Sequence, residues 1–278
     1  MTGSERAAGR PEPCVRGTGP GTGRTALITG ASSGLGAAFA DRLARRGYSL
    51  VLVARDQDRL TAVADRVTGR YGVRCEVLPA DLASAAGRGT VTARIEEGVH
   101  FLVNAAGFGV SGAFWSVDRA ELDDQLAVNV AGTQEFTHAA VATMLAGDGG
   151  TVVNLSSITG LVPGRGSTYA ASKAWILYFS QGLSHALRGT NTRVVVLAPG
   201  FVRTEFHARA GIDVRTVGDG WWLEPHDVVD RCLADIRRGK TFSLPGMRNK
   251  VFIATVSRLP RALAQQVNRM LGNAGARA

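Results

Sequence analysis

Cysteine is scarce in this chain. Its three residues, Cys14, Cys75 and Cys232, stand far apart and in odd number, which argues against a disulfide framework or a CxxC metal site. With no disulfide to maintain, a reducing cytoplasm is the expected compartment. No apolar run reaches the roughly 20 residues needed to cross a bilayer. Residues 1–23 lack the apolar stretch of a secretory signal; rich in Gly, Pro and Arg, they read as a disordered leader or as an artefact of start-site choice. Acidic residues are missing from the C-terminal end. Nine of the 32 basic residues and none of the 23 acidic ones follow Asp235, so the net charge of +9 belongs to a tail and not to a basic face. Beyond Phe242 that tail has Phe252 as its only aromatic. It therefore lacks the interleaved rings expected of a nucleic-acid-binding arm, and no nucleic-acid partner is expected.

What remains describes one large domain. The chain has 278 residues, 45% hydrophobic and 20% charged, ordinary for a globular domain with a single sheet and a sizeable core. Short Val/Ile/Leu-rich runs predict strands at Thr25–Thr29, Leu50–Ala54, Cys75–Leu78, Phe101–Val103, Thr151–Leu155 and Val194–Leu197, with a seventh at Thr241–Leu244. Several are continuous apolar runs, as when both faces of a sheet are covered. Helical patterns lie between them at Gly34–Arg46, Gln57–Tyr71, Arg119–Leu145 and Ser167–Arg188. This alternation predicts an α/β fold: a doubly wound parallel sheet of about seven strands, with helices on both faces, over residues 24–246. Ligands of such sheets bind at the carboxyl ends of the strands.

Two motifs fall at those ends. Tyr169-Ala-Ala-Ser-Lys173 places a phenol and an ammonium four residues apart on one helix face. A phenol titrates near 10, and a fixed positive charge makes it a better proton carrier for an alcohol or carbonyl. The second motif, Gly30-Ala-Ser-Ser-Gly34-Leu-Gly36, joins a buried strand to a helix. Such a turn lets a pyrophosphate approach bare backbone N–H groups at a helix N-terminus.

Together with Asn104-Ala-Ala-Gly107, Asn129-Val-Ala-Gly132, Ser156-Ser157 and Pro199-Gly200-Phe-Val202-Arg-Thr204, these motifs resemble the short-chain dehydrogenase/reductase family over roughly Arg24 to Leu244. The resemblance implies a Rossmann fold, a nicotinamide cofactor and hydride transfer to or from a carbonyl or secondary alcohol. Gly30, Ser32, Ser33, Gly34, Leu35 and Gly36 would cradle the pyrophosphate. An acidic residue about 20 positions after the turn would bind the ribose of NAD(H), whereas an arginine there accommodates the 2′-phosphate of NADP(H). Arg55 stands in that region, so NADP(H) is preferred; Asp56 follows it and keeps NAD(H) open. Alternatively both residues belong to a polar loop capping the next helix.

The same resemblance assigns further contacts. Asp81 would accept from the adenine amino group with Leu82 packed beside it, although an isolated Asp there also suits a helix N-cap. Asn104 would brace the sheet edge, while Ala105 and Gly107 pass close to the cofactor; the family often has Asn where Ala105 stands. Pro199 and Gly200 would turn the chain through Val202 so that Thr204 reaches the nicotinamide amide. Tyr169 would be the general acid in reduction or base in oxidation. Lys173 would bind the nicotinamide ribose and, with the oxidised ring, lower the Tyr169 pKa. Asn129 would kink its helix and hold a water linking Lys173 to solvent. The family's usual Ser-to-Tyr spacing selects Ser156 as the carbonyl-binding hydroxyl. Alignment on Ile158-Thr159-Gly160 selects Ser157, with one residue deleted from the Leu161–Thr168 loop, and Ser157 is preferred because a loop deletion disturbs less than a strand slip.

Phe114, Phe206, Trp221 and Trp222 could line an apolar pocket. Residues 247–278 mix Val251, Phe252, Ile253, Val256, Leu259, Leu263, Val267, Met270 and Leu271 with arginines. This basic amphipathic pattern, broken by Pro260, would cover the pocket, touch an anionic membrane surface, or pack on the domain or a second subunit. A lipid-like or 3-ketoacyl substrate is expected. By resemblance the protein is a homo-oligomer through the helices carrying Asn129 and Tyr169. The competing reading is a catalytically silent NADP(H)-binding regulator or scaffold.

Overall fold

Seven strands, most of them rich in Val, Ile or Leu, pair in parallel into one sheet in the computed structural model, which describes residues 21–161, 168–211, 214, 215 and 217–256. They are β1 (Thr25–Thr29), β2 (Ser49–Ala54), β3 (Cys75–Pro79), β4 (Phe101–Asn104), β5 (Gly150–Leu155), β6 (Thr192–Leu197) and β7 (Phe242–Ser243), in the order β3-β2-β1-β4-β5-β6-β7. Successive side chains point to opposite faces and both faces are buried. Ala26 and Ile28 of β1 face one apolar cluster while Leu27 faces the other, and β2 divides likewise into Leu50 and Leu52 against Val51 and Val53. Continuous apolar runs are what a sheet covered on both sides requires.

The first cluster is completed by α1 (Gly34–Ala44) and α2 (Gln57–Tyr71), the second by α3 (Ala85–Glu96). Next come α4 (Arg119–Leu126), α5 (Thr133–Ala146) and α6 (Thr168–Ala186). Phe136, Ala139 and Met144 of α5 pack in the second cluster beside Val91 and Ile95 of α3. The short α7 (Phe206–Arg209) precedes α8 (Pro225–Arg237), whose Val228, Val229, Cys232, Leu233 and Ile236 join the first cluster, and α9 (Met247–Val256) ends the described chain. The chain fills the β1 side of the sheet outward to β3 and then returns to place β4 against the other side of β1. This reversal opens the crevice where doubly wound sheets bind ligands, at the carboxyl ends of the strands.

Several expectations need correction. The continuous helix foreseen over Arg119–Leu145 is α4 and α5 separated by a π-helical turn, Ala127–Gly132, centred on Asn129. Three helices were not foreseen: α3, the four-residue α7 and α8. α3 contains Gly87 and Gly89 and buries only Val91 and Ile95, too sparse a stripe to read as a period. α8 begins with Pro225 at its first position and has a clear apolar stripe that the sequence reading left unused. The seventh strand is two residues long. Residues 1–20 and 257–278 lie outside the described residues, and with them Leu259, Leu263, Val267, Met270 and Leu271 of the tail.

Candidate active site

The turn from β1 to α1 requires its glycines. Gly30 and Gly34 have φ of +67° and +55°, in the left-handed region that other residues adopt at a cost. A Cβ on Gly36 would lie 2.1 Å from the Gly30 carbonyl oxygen, and one on Gly30 would lie 2.9 Å from the Ala106 nitrogen. The Thr29 hydroxyl ties the turn to the end of β4, accepting from the Ala105 and Ala106 N–H groups at 3.1 Å each. Ser33 occupies the N-cap of α1, but its side chain makes no capping bond and the first turn holds no acidic residue. The N–H groups and positive dipole end of α1 therefore open beside Ser32, Ser33 and Leu35 as an anion cradle.

Arg55 and Asp56 follow β2 and are both exposed. Asp56 caps α2, accepting from Arg59 N–H at 3.0 Å. Arg55 has no ion pair or hydrogen bond among the described residues, so its guanidinium is free for an outside anion. Asp81, beyond β3, accepts from Ala83 N–H at 3.2 Å. The capping alternative for Asp81 does not hold, because Ser84 is the N-cap of α3. Leu82 is buried beside it. Asn104 ends β4 at the middle of the sheet. It donates to Thr137 Oγ1 (3.2 Å) and Asn154 Oδ1 (2.8 Å), while Asn154 donates to Ser180 Oγ at 3.0 Å. This buried polar chain fastens α5 and α6 to the sheet beneath the site.

Tyr169 and Lys173 lie in the first turns of α6. The Lys173 ammonium is buried, donates to the Leu155 carbonyl at 2.8 Å and sits 5.5 Å from the centre of the Tyr169 ring. Burial lowers its pKa to about 8, since the charged form is the one penalised by leaving water. Burial instead pushes the Tyr169 phenol well above its ordinary value, partly opposed by a hydrogen bond with the Ser157 side chain. The two serines diverge. Ser157 meets Tyr169, whereas Ser156 turns away and donates to the Lys173 carbonyl at 2.7 Å. Gly160 lets this turn lie flush on α6, because a Cβ there would be 2.6 Å from the Lys173 carbonyl carbon.

Asn129 is fully buried in the π turn. Its amide accepts from Phe108 N–H at 3.1 Å, donates to Phe108 O at 3.0 Å and reaches Ser172 Oγ at 3.2 Å. A Cβ on Gly107 would stand 3.0 Å from Asn129 Oδ1 and 3.3 Å from Lys173 Nζ, so Gly107 lies between the two. Beyond β6, Pro199 accepts from Ile158 N–H at 3.0 Å, and Gly200 gives way to the Asn249 side chain, which a Cβ would approach to 2.5 Å. Val202 forms a β-bridge with Leu223. Thr204 rests over Gly34, its Cγ2 3.2 Å from where a Cβ would be. A cleft of about 620 Å³ beside Gly34 and Thr204 extends to Arg66, Trp222 and His226.

Of the four aromatics expected to form a pocket, Phe206 alone reaches Tyr169, at 5.3 Å between ring centres. Trp222 packs on His207 and Phe201. Trp221 meets Phe252 of α9 beside an apolar groove of about 440 Å³. Phe114 is 54% exposed. Sequence reasoning missed Ser111, Gln125 and Ala210, which fasten the loops around Tyr169 and Phe108. Such residues carry no motif, since only the fold brings them there.

The described site has recognisable relatives. A family model described as short chain dehydrogenase matches residues 24–214. A sulfoacetaldehyde reductase of Chromohalobacter salexigens is 40% identical over 69% of this chain and 76% of its own length. A very-long-chain 3-oxoacyl-CoA reductase of Anas platyrhynchos is 33% identical over 67% of this chain and 62% of its own. Among solved structures, a short-chain dehydrogenase from Sphingobium yanoikuyae in complex with NADPH superposes with a TM-score of 0.77 at 34% identity, covering 85% of this chain and 96% of that one.

The buried Lys173 charge has a consequence for stability. Its folded pKa of about 8 lies below the ordinary lysine value of 10.5, so the penalty is complete below pH 8 and fades as pH rises to 10.5. Lys173→Met should therefore be more stable than the wild type at pH 7, by up to about 3 kcal/mol, with the gain vanishing by pH 10.5. Urea unfolding across this range measures it, and a pH-independent difference would contradict the assignment.

Proposed function

The chain belongs to the short-chain dehydrogenase/reductase family of NAD(P)-dependent oxidoreductases, and from that premise we propose that it uses NADP(H) to interconvert a carbonyl and a secondary alcohol, reducing a lipid-like or 3-ketoacyl substrate. The observation that carries this reading is the meeting of Ser157, Tyr169 and Lys173 beside the uncapped, Cβ-intolerant turn of α1. The residues present fit the cofactor. Gly30, Ser32, Ser33, Gly34, Leu35 and Gly36 would hold the pyrophosphate. Unpaired Arg55 would hold the 2′-phosphate, since the Asp56 carboxylate already caps α2. Asp81 and Leu82 would meet the adenine. Asn104, Ala105 and Gly107 would border the nicotinamide half, and Pro199, Gly200, Val202 and Thr204 would close it from the β6 side. When bound, the reduced cofactor would supply the hydride.

The chain's own groups handle the proton. Tyr169, whose pKa burial raises, is protonated at neutral pH, the state a general acid needs, and its Oη proton passes to the carbonyl oxygen. Ser157 Oγ donates to that same oxygen, where negative charge develops. Lys173, with a pKa near 8, is largely charged at neutral pH and stabilises the phenolate left behind. Asn129 holds the Phe108 backbone and, in this reading, a water path from Lys173 to solvent. Phe206 on Tyr169 and Ala210 beside Gly109 supply an apolar wall, which supports a lipid-like substrate. Exposed Leu126, Leu145 and Tyr178 on α4, α5 and α6 support a homo-oligomer through these helices.

Three substitutions test this reading against a panel of ketones, aldehydes including sulfoacetaldehyde, and 3-ketoacyl thioesters. Ser157→Ala should lower kcat by about 100-fold, and Ser156→Ala far less; the reverse ranking refutes the choice of serine. Arg55→Asp should shift the NADPH/NADH ratio of kcat/KM by about 10- to 100-fold towards NADH. An unchanged ratio would remove Arg55 from the 2′-phosphate site.

A further inference from the structure

We propose that Arg59 and Glu205 form a clasp that holds the segment after β6 across the dinucleotide groove and slows cofactor release. The inference rests on the cofactor reading above. Residues 202–210 are secured at several points: Val202 bridges Leu223, Thr204 rests over Gly34, Phe206 packs on Tyr169, and the Ala210 carbonyl accepts from the Ser111 hydroxyl. Between these points Glu205 Oε1 accepts from Arg59 Nη2 at 2.7 Å. Arg59 stands in the first turn of α2, four residues beyond Arg55. The pair thus joins the β2 side of the groove to the β6 side, above the turn that follows β1.

The other ion pairs of this segment stay local. Arg203 pairs with Asp219 and Glu224, and Glu205 also pairs with Arg209 one helical turn on. Among the described residues, Arg59 with Glu205 is the ion pair that links these two walls. Hydrogen bonding from Arg59 holds the Glu205 carboxyl below its ordinary range, so the clasp stays charged at neutral pH. Both side chains are substantially exposed, 39% and 52%. Such a pair biases an opening equilibrium by a small factor and is weakened by salt, which suits a closure that must open in every turnover. Arg59 and Glu205 are positioning residues: they act through Thr204 and Phe206 on the bound cofactor.

The test is cofactor release from the full chain, followed by stopped-flow fluorescence for NADPH and NADH, with Arg59→Gln, Glu205→Gln and the double variant. Each single variant should raise the release rate by about two- to fivefold for both cofactors. The double variant should add nothing further, and high salt should abolish the difference from wild type. Arg209→Gln, which removes only the local pair, should leave release unchanged. In protein without cofactor, hydrogen exchange at residues 203–210 should quicken in the clasp variants and not in Arg209→Gln. Unchanged release together with unchanged exchange overturns the clasp. An effect of Arg59→Gln on NADPH alone, with Glu205→Gln slowing release, also overturns it and makes Arg59 a phosphate ligand. Failure of the wild type to bind either cofactor would overturn the underlying reading, whereas the exchange experiment judges the pairing separately.

Discussion

The bond from the buried Lys173 ammonium to the Leu155 carbonyl is the contact on which the geometry of the candidate site turns. It fastens the start of α6 to the carboxyl end of β5, and so sets where Tyr169 stands relative to the serine that follows that strand. A lysine taken out of water is expensive, and its lowered pKa records that expense. Desolvation also raises the pKa of the Tyr169 phenol, which is neutral at physiological pH. One buried cation therefore costs stability while providing, beside a neutral acid, the charge that would stabilise its conjugate base.

Close backbone approach is the second constraint. Gly36 against the Gly30 carbonyl, Gly107 between Asn129 and Lys173, and Gly160 against the Lys173 backbone are all places where a side chain would push apart elements that must touch. The glycines do not merely supply flexible turns. They let β1, β4, β5 and α6 bring their carboxyl-end groups into one crevice, over a polar layer of Asn104, Thr137, Asn154 and Ser180 that locks the helices to the sheet.

Much of this was legible in the sequence because it is local or periodic. Apolar runs located all seven strands, and the Gly-rich and Tyr-Lys motifs lie where strand ends meet helix starts. A kink at Asn129 was legible through the resemblance, but its π-helical form was not; the Asn129 amide is held by the Phe108 backbone, a contact spanning 21 positions. α3 was hidden by its glycines and its two-residue apolar stripe. The divergence of Ser156 and Ser157 could not be read from spacing, because it depends on how the turn at Gly160 packs on α6. Burial, which no sequence displays, is what raises the Tyr169 pKa.

The central claim is that Tyr169 moves the proton. The most direct measurement compares wild type and Tyr169→Phe, first for NADPH binding by fluorescence and then for NADPH oxidation with the best substrate of the panel. The account predicts that the phenylalanine variant binds NADPH about as tightly as the wild type and has no measurable turnover. Turnover that survives the loss of the hydroxyl would contradict it and place the proton donor elsewhere.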